Sequence, residues 1–182
     1  PVVRLPGSWD EFRAGLPQRF GHNLHRARNR VRNAAGVVET AGPENLDEML
    51  SALFRLHAAR WQALDQPGVL AGTCMEAFHR EAAGELLDRG MLRLYGLRLP
   101  GGLAAVLYGF AGHGRFYAYL DGFDPAFARL SPGTVLMGHA IECGIAEGLA
   151  ELDFLRESEG FKYDWGAVDR PNRRLILRQA RP

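Results

Sequence analysis

Residues 131–134, Ser131-Pro132-Gly133-Thr134, have the composition of an anion-binding helix start. Ser131 is a good N-cap, because its hydroxyl can accept an orphan backbone N–H. Pro132 suits the first helical position, where the missing N–H is no loss. Gly133 lets a ligand approach the backbone closely. What the stretch lacks matters as much. Two other helix starts carry acids that offset the positive end of the helix dipole: Asp10 and Glu11 after Ser8, and Glu44, Asp47 and Glu48 around Pro43. After Ser131 no acid occurs until Glu142. A strand leading into such a start suits phosphate. An ordinary buried helix opened by a proline is the bland alternative.

Other residues stand out by type. Asp153 falls within a strand pattern over 151–155, where an acid is unfavourable unless partnered or placed in a cleft. Of 22 basic residues, Lys162 is the one lysine, and a compact ammonium does different chemistry from a guanidinium. Arg19, His22, His25, Arg26, Arg28, Arg30 and Arg32 share one helix. They are either a solvated face or a cradle for a phosphate-rich ligand or RNA. Trp61 precedes a turn-rich loop, Asp65-Gln66-Pro67-Gly68, and is either core or the lining of a cleft. Cys74 and Cys143 read as reduced and structural, and the six scattered histidines give no metal-ligand spacing. No Ser/His/Asp or Cys/His arrangement points to covalent catalysis.

The elements that must position these residues are set by periodicity. Ser8-Trp9-Asp10-Glu11 is a capping-box pattern opening a helix to about residue 16. Pro17 permits a second helix whose apolar stripe is Phe20, Leu24, Ala27 and Val31. A short strand over 37–41 and helices over 46–64 and 75–89 come next. His79 on the last of these reads as a surface or interhelix histidine. Alternation over 91–99, an apolar run over 103–111 and a strand over 115–122, joined by Pro100-Gly101-Gly102 and Gly112-His113-Gly114, make a three-stranded antiparallel meander. A helix over 132–147, rich in small residues, then crosses to the strand at 151–155. A right-handed crossover lets that strand lie parallel to the one at 116–122. Residues 173–181 read as a terminal strand.

Length and composition describe one globular domain over 1–182, with 1–35 a helical lead-in and 36–182 the motif-bearing core. Net charge of +1 gives no global attraction for nucleic acid. No apolar run approaches a membrane span, no signal peptide is visible, and a cytoplasmic location is expected. The chain starts at Pro1, as a fragment of a longer chain would.

Asp121-Gly122-Phe123-Asp124-Pro125, Leu130-Ser131-Pro132-Gly133, Asp153-Phe154-Leu155-Arg156 and Phe161-Lys162-Tyr163-Asp164-Trp165 together resemble the GNAT acetyltransferase domain. The likeness is greatest to the subfamily linked to cellulose and exopolysaccharide biosynthesis, with its "gfDp", "sPG", "DFlrG" and "YK" strings. Leu56-His57-Ala58-Ala59-Arg60-Trp61 resembles its "LHxxRW" helix end. The match covers about residues 20 to 175. More distantly, the chain is similar to Fem-type aminoacyl transferases. It departs from the family in offering one glycine in place of a glycine-rich pyrophosphate loop, and Glu157 where the subfamily has glycine.

The resemblance implies an α/β (α+β) fold: a mixed, splayed central sheet containing the meander, with helices on both faces. It implies acetyl-CoA or another acyl-CoA as co-substrate, no metal, and a small-molecule or saccharide amine as acceptor. The pyrophosphate would meet backbone amides at Ser131, Gly133, Thr134 and Val135, with Tyr119 and Arg129 beside the cofactor. Asp153 or Glu159 would act as base and Lys162 would stabilise negative charge; the alternatives are that Asp153 anchors Arg156 or the next loop and that Lys162 makes a surface salt bridge. Trp61, Asp121, Arg156, Tyr163 and Trp165 would face the acceptor. The rival readings are a Fem-type transferase using aminoacyl-tRNA, and a non-catalytic GNAT-like module of a polysaccharide-synthesis assembly.

Overall fold

A computed structural model describes residues 1–62, 73–171 and 175–176, with backbone alone for 60–62. Six strands form one sheet: β1 (Val2–Arg4), β2 (Val37–Thr40), β3 (Leu92–Leu99), β4 (Gly102–Gly112), β5 (Arg115–Phe123) and β6 (Glu151–Asp153). Their order is β1-β6-β5-β4-β3-β2. All pairs are antiparallel except β5 with β6. The meander and the parallel crossover are thus as the sequence predicts. β1, in the lead-in, is an addition: it pairs with β6, Val2 opposite Asp153.

Helices cover both faces. α1 (Trp9–Ala14) is capped as expected, with Ser8 Oγ accepting the Glu11 N–H at 3.2 Å. α2 (Gln18–Asn33) buries Leu24, Ala27 and Val31. α5 (Pro132–Ala146) packs with α1 and α2 on one face, in a core that includes Ile141, Leu136, Phe116 and Trp165. α3 (Leu46–Gln62) and α4 (Thr73–Asp88) cover the other face, around Met49, Leu53, Leu94 and Tyr108. α6 (Gly160–Asp164) is one short turn after β6. The strand predicted over 173–181 falls largely outside the described residues; Leu175 and Ile176 are exposed and in no strand. The loop at 65–68 lies outside them too.

β5 departs from a regular strand in two ways. β6 ends at Asp153 opposite Tyr117, so among the described residues β5 has no strand partner on that side over 118–123. The sheet therefore splays open there. A bulge leaves Tyr119 as an extra residue between the Tyr108–Leu120 and Gly109–Ala118 pairs, which sharpens the local twist. Beyond it, Gly122 lies against α3. A Cβ at Gly122 would stand 2.7 Å from the His57 backbone nitrogen and 3.0 Å from the Leu56 carbonyl carbon. Helix backbone cannot swing aside as a side chain can, so Gly122→Ala should lift α3 and lower unfolding free energy by about 2 kcal/mol. Urea unfolding measures this, and an unchanged midpoint would contradict it.

His79 differs from its surface or interhelix expectation. It is 2% exposed, packed edge-on to Tyr108, with neither ring nitrogen hydrogen-bonded. Burial holds its pKa below the ordinary histidine range. The folded state therefore binds the proton less readily than the unfolded chain. Stability should be fully present above pH ~6.5 and fall as pH drops below the unfolded histidine pKa. Comparing unfolding midpoints at pH 7 and pH 5 for wild type and His79→Phe tests this, the variant showing the flatter profile.

Candidate active site

The splay opens into a cavity of about 370 Å³. β5 contributes Asp121, Gly122 and Phe123, and α2 contributes Phe20. Ser131, Pro132, Gly133 and Thr134 form its head at the start of α5, while Phe161, Asp164 and Trp165 close it from α6.

The head is built differently from a Ser-capped helix. A 3-10 turn over Pro125–Leu130 precedes α5 and ends on Ser131, whose N–H donates to the Ala128 carbonyl at 3.0 Å. That turn forces Ser131 into the left-handed region, φ 54° and ψ 53°, where a capping residue is normally extended. The expected Ser131 cap is therefore absent. Its hydroxyl instead accepts from Arg30 Nη2 at 3.3 Å. The Val135 N–H donates to the Ser131 carbonyl at 3.2 Å, and the Val135 side chain is buried in a separate groove with His139 and Glu142. Of the four amides anticipated for an anion, two are thus engaged by the backbone. Gly133 and Thr134 remain, first-turn amides with no intrahelical acceptor by position. The first turn holds no acid, and a Cβ on Gly133 would meet nothing within 4 Å.

The other anticipated residues lie around the cavity more than in it. Asp153 accepts from the Leu155 N–H at 2.8 Å and from Arg170 Nη2 at 2.5 Å. Lys162 is 5% exposed. Its amine donates to the carbonyls of Phe154 (3.3 Å), Arg156 and Glu157 (3.2 Å), and pairs with Glu159 at 2.5 Å. Asp153, Glu159 and Lys162 therefore hold together the loop after β6. The Arg156 side chain is exposed. Tyr163 donates its hydroxyl to Asp169 at 2.8 Å. Tyr119 stands on the α3/α4 face beside His79 and Tyr108, and Arg129 is exposed on the 3-10 turn. The Trp61 side chain is outside the described residues. Trp165, 2% exposed, stacks with Phe12 and meets Phe20 edge-on while forming cavity wall.

Asp121, expected to face the acceptor, lines the cavity, and Asp164, not singled out in the sequence, lines it too. Among the described residues they are the ionisable side chains on its wall. Asp164 sits between Tyr163 and Trp165, and Phe20 reads as an ordinary stripe residue, so no local pattern marks either. Among the described residues no group of His, Cys, Asp and Glu could hold a metal ion. Cys143 lies 3.4 Å from His139 Nε2, and burial raises its thiol pKa, which favours the inert thiol form. Cys74 is exposed rather than enclosed. No described helix is long and apolar enough to cross a membrane.

Comparison with solved structures returns the same architecture. FemX superposes with a TM-score of 0.72 at 12% identity, covering 91% of this chain and 57% of FemX. An aminoglycoside acetyltransferase from an uncultured soil metagenomic sample, in complex with sisomicin, gives 0.57 at 13% identity, covering 82% and 99%. AAC(6')-Iy, in complex with the bisubstrate analog CoA-S-monomethyl-acetylneamine, gives 0.54 at 14%, covering 80% and 98%. At these identities the likeness is one of fold. The chain spans little more than half of FemX. No curated protein matches its sequence. A family model described as an acetyltransferase (GNAT) domain matches residues 18–163, most of the chain and every wall of the cavity but Asp164 and Trp165, and the chain belongs to that family.

Proposed function

We propose that the chain is an acyl-CoA-dependent N-acyltransferase in which an amine attacks the thioester directly. One observation carries this reading: the cavity at the splay ends on an acid-free helix start with two first-turn amides that have no intrahelical acceptor by position. Acyl-CoA fits that head. Gly133 and Thr134 would hold its diphosphate, with no carboxylate in the first turn to repel it and no side chain on Gly133 to block it. The bound thioester supplies an activated acyl group. The rings of Phe20, Phe123, Phe161 and Trp165 exclude water from the reacting atoms. Proton uptake from the amine falls to Asp121 or Asp164 on the wall, directly or through water. Asp153, Glu159 and Lys162 fix the loop behind α6, and so the position of Phe161 and Asp164.

The family and the CoA-bearing AAC(6')-Iy complex support this use of acyl-CoA. The "gfDp", "sPG" and "YK" likenesses support a setting in cellulose or exopolysaccharide biosynthesis, with a small-molecule or saccharide amine as the acceptor. A thermal shift with acetyl-CoA tests the reading. At 100 times its dissociation constant the ligand should add about 2.7 kcal/mol. Thiol release in the presence of amines should accompany it. No shift with any of several acyl-CoAs would favour a non-catalytic module.

A further inference from the structure

α2 carries five arginines and no acid, while the chain as a whole has a net charge of only +1. The remainder of the chain is therefore at −4, from +1 less the five. Arg28 pairs with Glu142 at 2.8 Å; Arg19, Arg26, Arg30 and Arg32 pair with no carboxylate among the described residues. By contrast Arg80 and Arg93 each pair with one carboxylate, and Arg98 and Arg170 with two. The arrangement works against the helix. Arg19 opposes the positive end of the dipole, and Arg26 with Arg30 is a like-charge pair at i, i+4. At spacings of seven and four, Arg19, Arg26 and Arg30 form one row along the outer face, with the buried stripe turned away from it. The row ends at the cavity: Arg30 reaches the Ser131 hydroxyl on its wall.

We propose that this row recognises the phosphate groups of the donor's nucleotide half, with Arg30 beside the diphosphate and Arg26 one turn further out for an additional phosphate. It rests on the acyl-CoA reading and deepens it. Binding of the acyl arm belongs to the cavity; preference for a multiply phosphorylated carrier belongs to α2. The guanidiniums are exposed, so the bound anion would relieve a repulsion that the isolated helix carries unrelieved.

The test is titration calorimetry with CoA and 3′-dephospho-CoA over a salt series. The proteins are wild type, Arg26→Gln/Arg30→Gln, and Arg89→Gln as a remote arginine-to-glutamine control beyond the end of α4. Wild type should prefer CoA to 3′-dephospho-CoA by about tenfold or more. The double variant should bind CoA 10- to 100-fold more weakly, lose that preference and show a shallower salt dependence, while melting like wild type. Arg89→Gln should bind as wild type. If wild type binds CoA and the double variant binds it equally well, this proposal is overturned and the acyl-CoA reading stands. If wild type binds no CoA, both fall. If a short RNA oligomer binds wild type and not the double variant while CoA affinity is unchanged, the row serves nucleic acid and the proposal is likewise overturned.

Discussion

Gly133→Asp is expected to weaken CoA binding about 100-fold while leaving the melting temperature unchanged or slightly higher. The two effects have opposite signs because one charge acts on two partners. An aspartate in the first turn of α5 faces the positive end of the helix dipole, an interaction worth roughly 0.3–1 kcal/mol to the folded state. The position can take it: Gly133 is not among the left-handed glycines, and a Cβ there meets nothing within 4 Å. The same carboxylate would occupy the place proposed for a diphosphate and repel it. A 100-fold loss corresponds to about 2.7 kcal/mol, a modest demand for like charges in contact at a half-enclosed site. Gly133→Ala separates sterics from charge and should bind CoA within a few-fold of wild type. If Gly133→Asp binds CoA normally, the head of α5 is not where the phosphates sit. A merely misfolded variant would reveal itself by a lowered melting temperature.

The frame of the sheet is legible because its signals are local. The alternation of β3, the apolar run of β4 and the two glycine-bearing turns describe a meander without knowledge of any distant contact. Small residues in α5 and a strand after it make the parallel β5–β6 pair, and Ser8 caps α1 through four consecutive residues. β1 carries no such signal. Three residues show no periodicity, and they become a strand only by pairing with β6, some 150 positions away. The site is legible in outline for the same reason. An acid-free start with Pro132 and Gly133 is a property of neighbours in sequence. What Ser131 does there is not: the 3-10 turn before it sets its left-handed backbone, and α2 takes its hydroxyl. Asp153 shows the limit from the other side. An acid within a strand does ask for a partner or a cleft, and it finds Arg170, 17 residues on. Nothing in the strand itself distinguishes those outcomes. Phe20 and Asp164 meet across the cavity from opposite ends of the chain, so only the fold can bring them into one wall.

Lys162→Met should lower the unfolding free energy by about 3 kcal/mol. For a domain of this size that is a fall of roughly 6–12 °C in melting temperature. Methionine keeps the length of the stem and removes the ammonium, so the loss reports the polar contacts. The Lys162 amine donates to three backbone carbonyls, those of Phe154, Arg156 and Glu157, and pairs with Glu159. Without it those acceptors lose their donor in a site that is 5% exposed at the lysine itself. An acceptor left without a donor in such a place costs about 1–3 kcal/mol, and water can reach only part of the set. The loop also needs the tie for conformational reasons. Leu155 and Glu157 are both left-handed, φ 62° and 67°, where a residue with a Cβ is strained. Position 157 has the backbone that glycine adopts without strain. Glu157→Gly should therefore relieve part of the strain and offset some of the loss in a Lys162→Met background. Lys162→Arg is no rescue, because a planar guanidinium cannot present three converging donors to the same carbonyls. The direct catalytic role implied by family likeness makes a different forecast. If Lys162→Met melts like wild type and turnover alone collapses, the amine acts on the thioester or the diphosphate, and the carbonyl contacts are incidental. If melting falls as expected and a variant stabilised elsewhere recovers turnover, the lysine is a fastening for the cavity lip and the charge development is met by other groups.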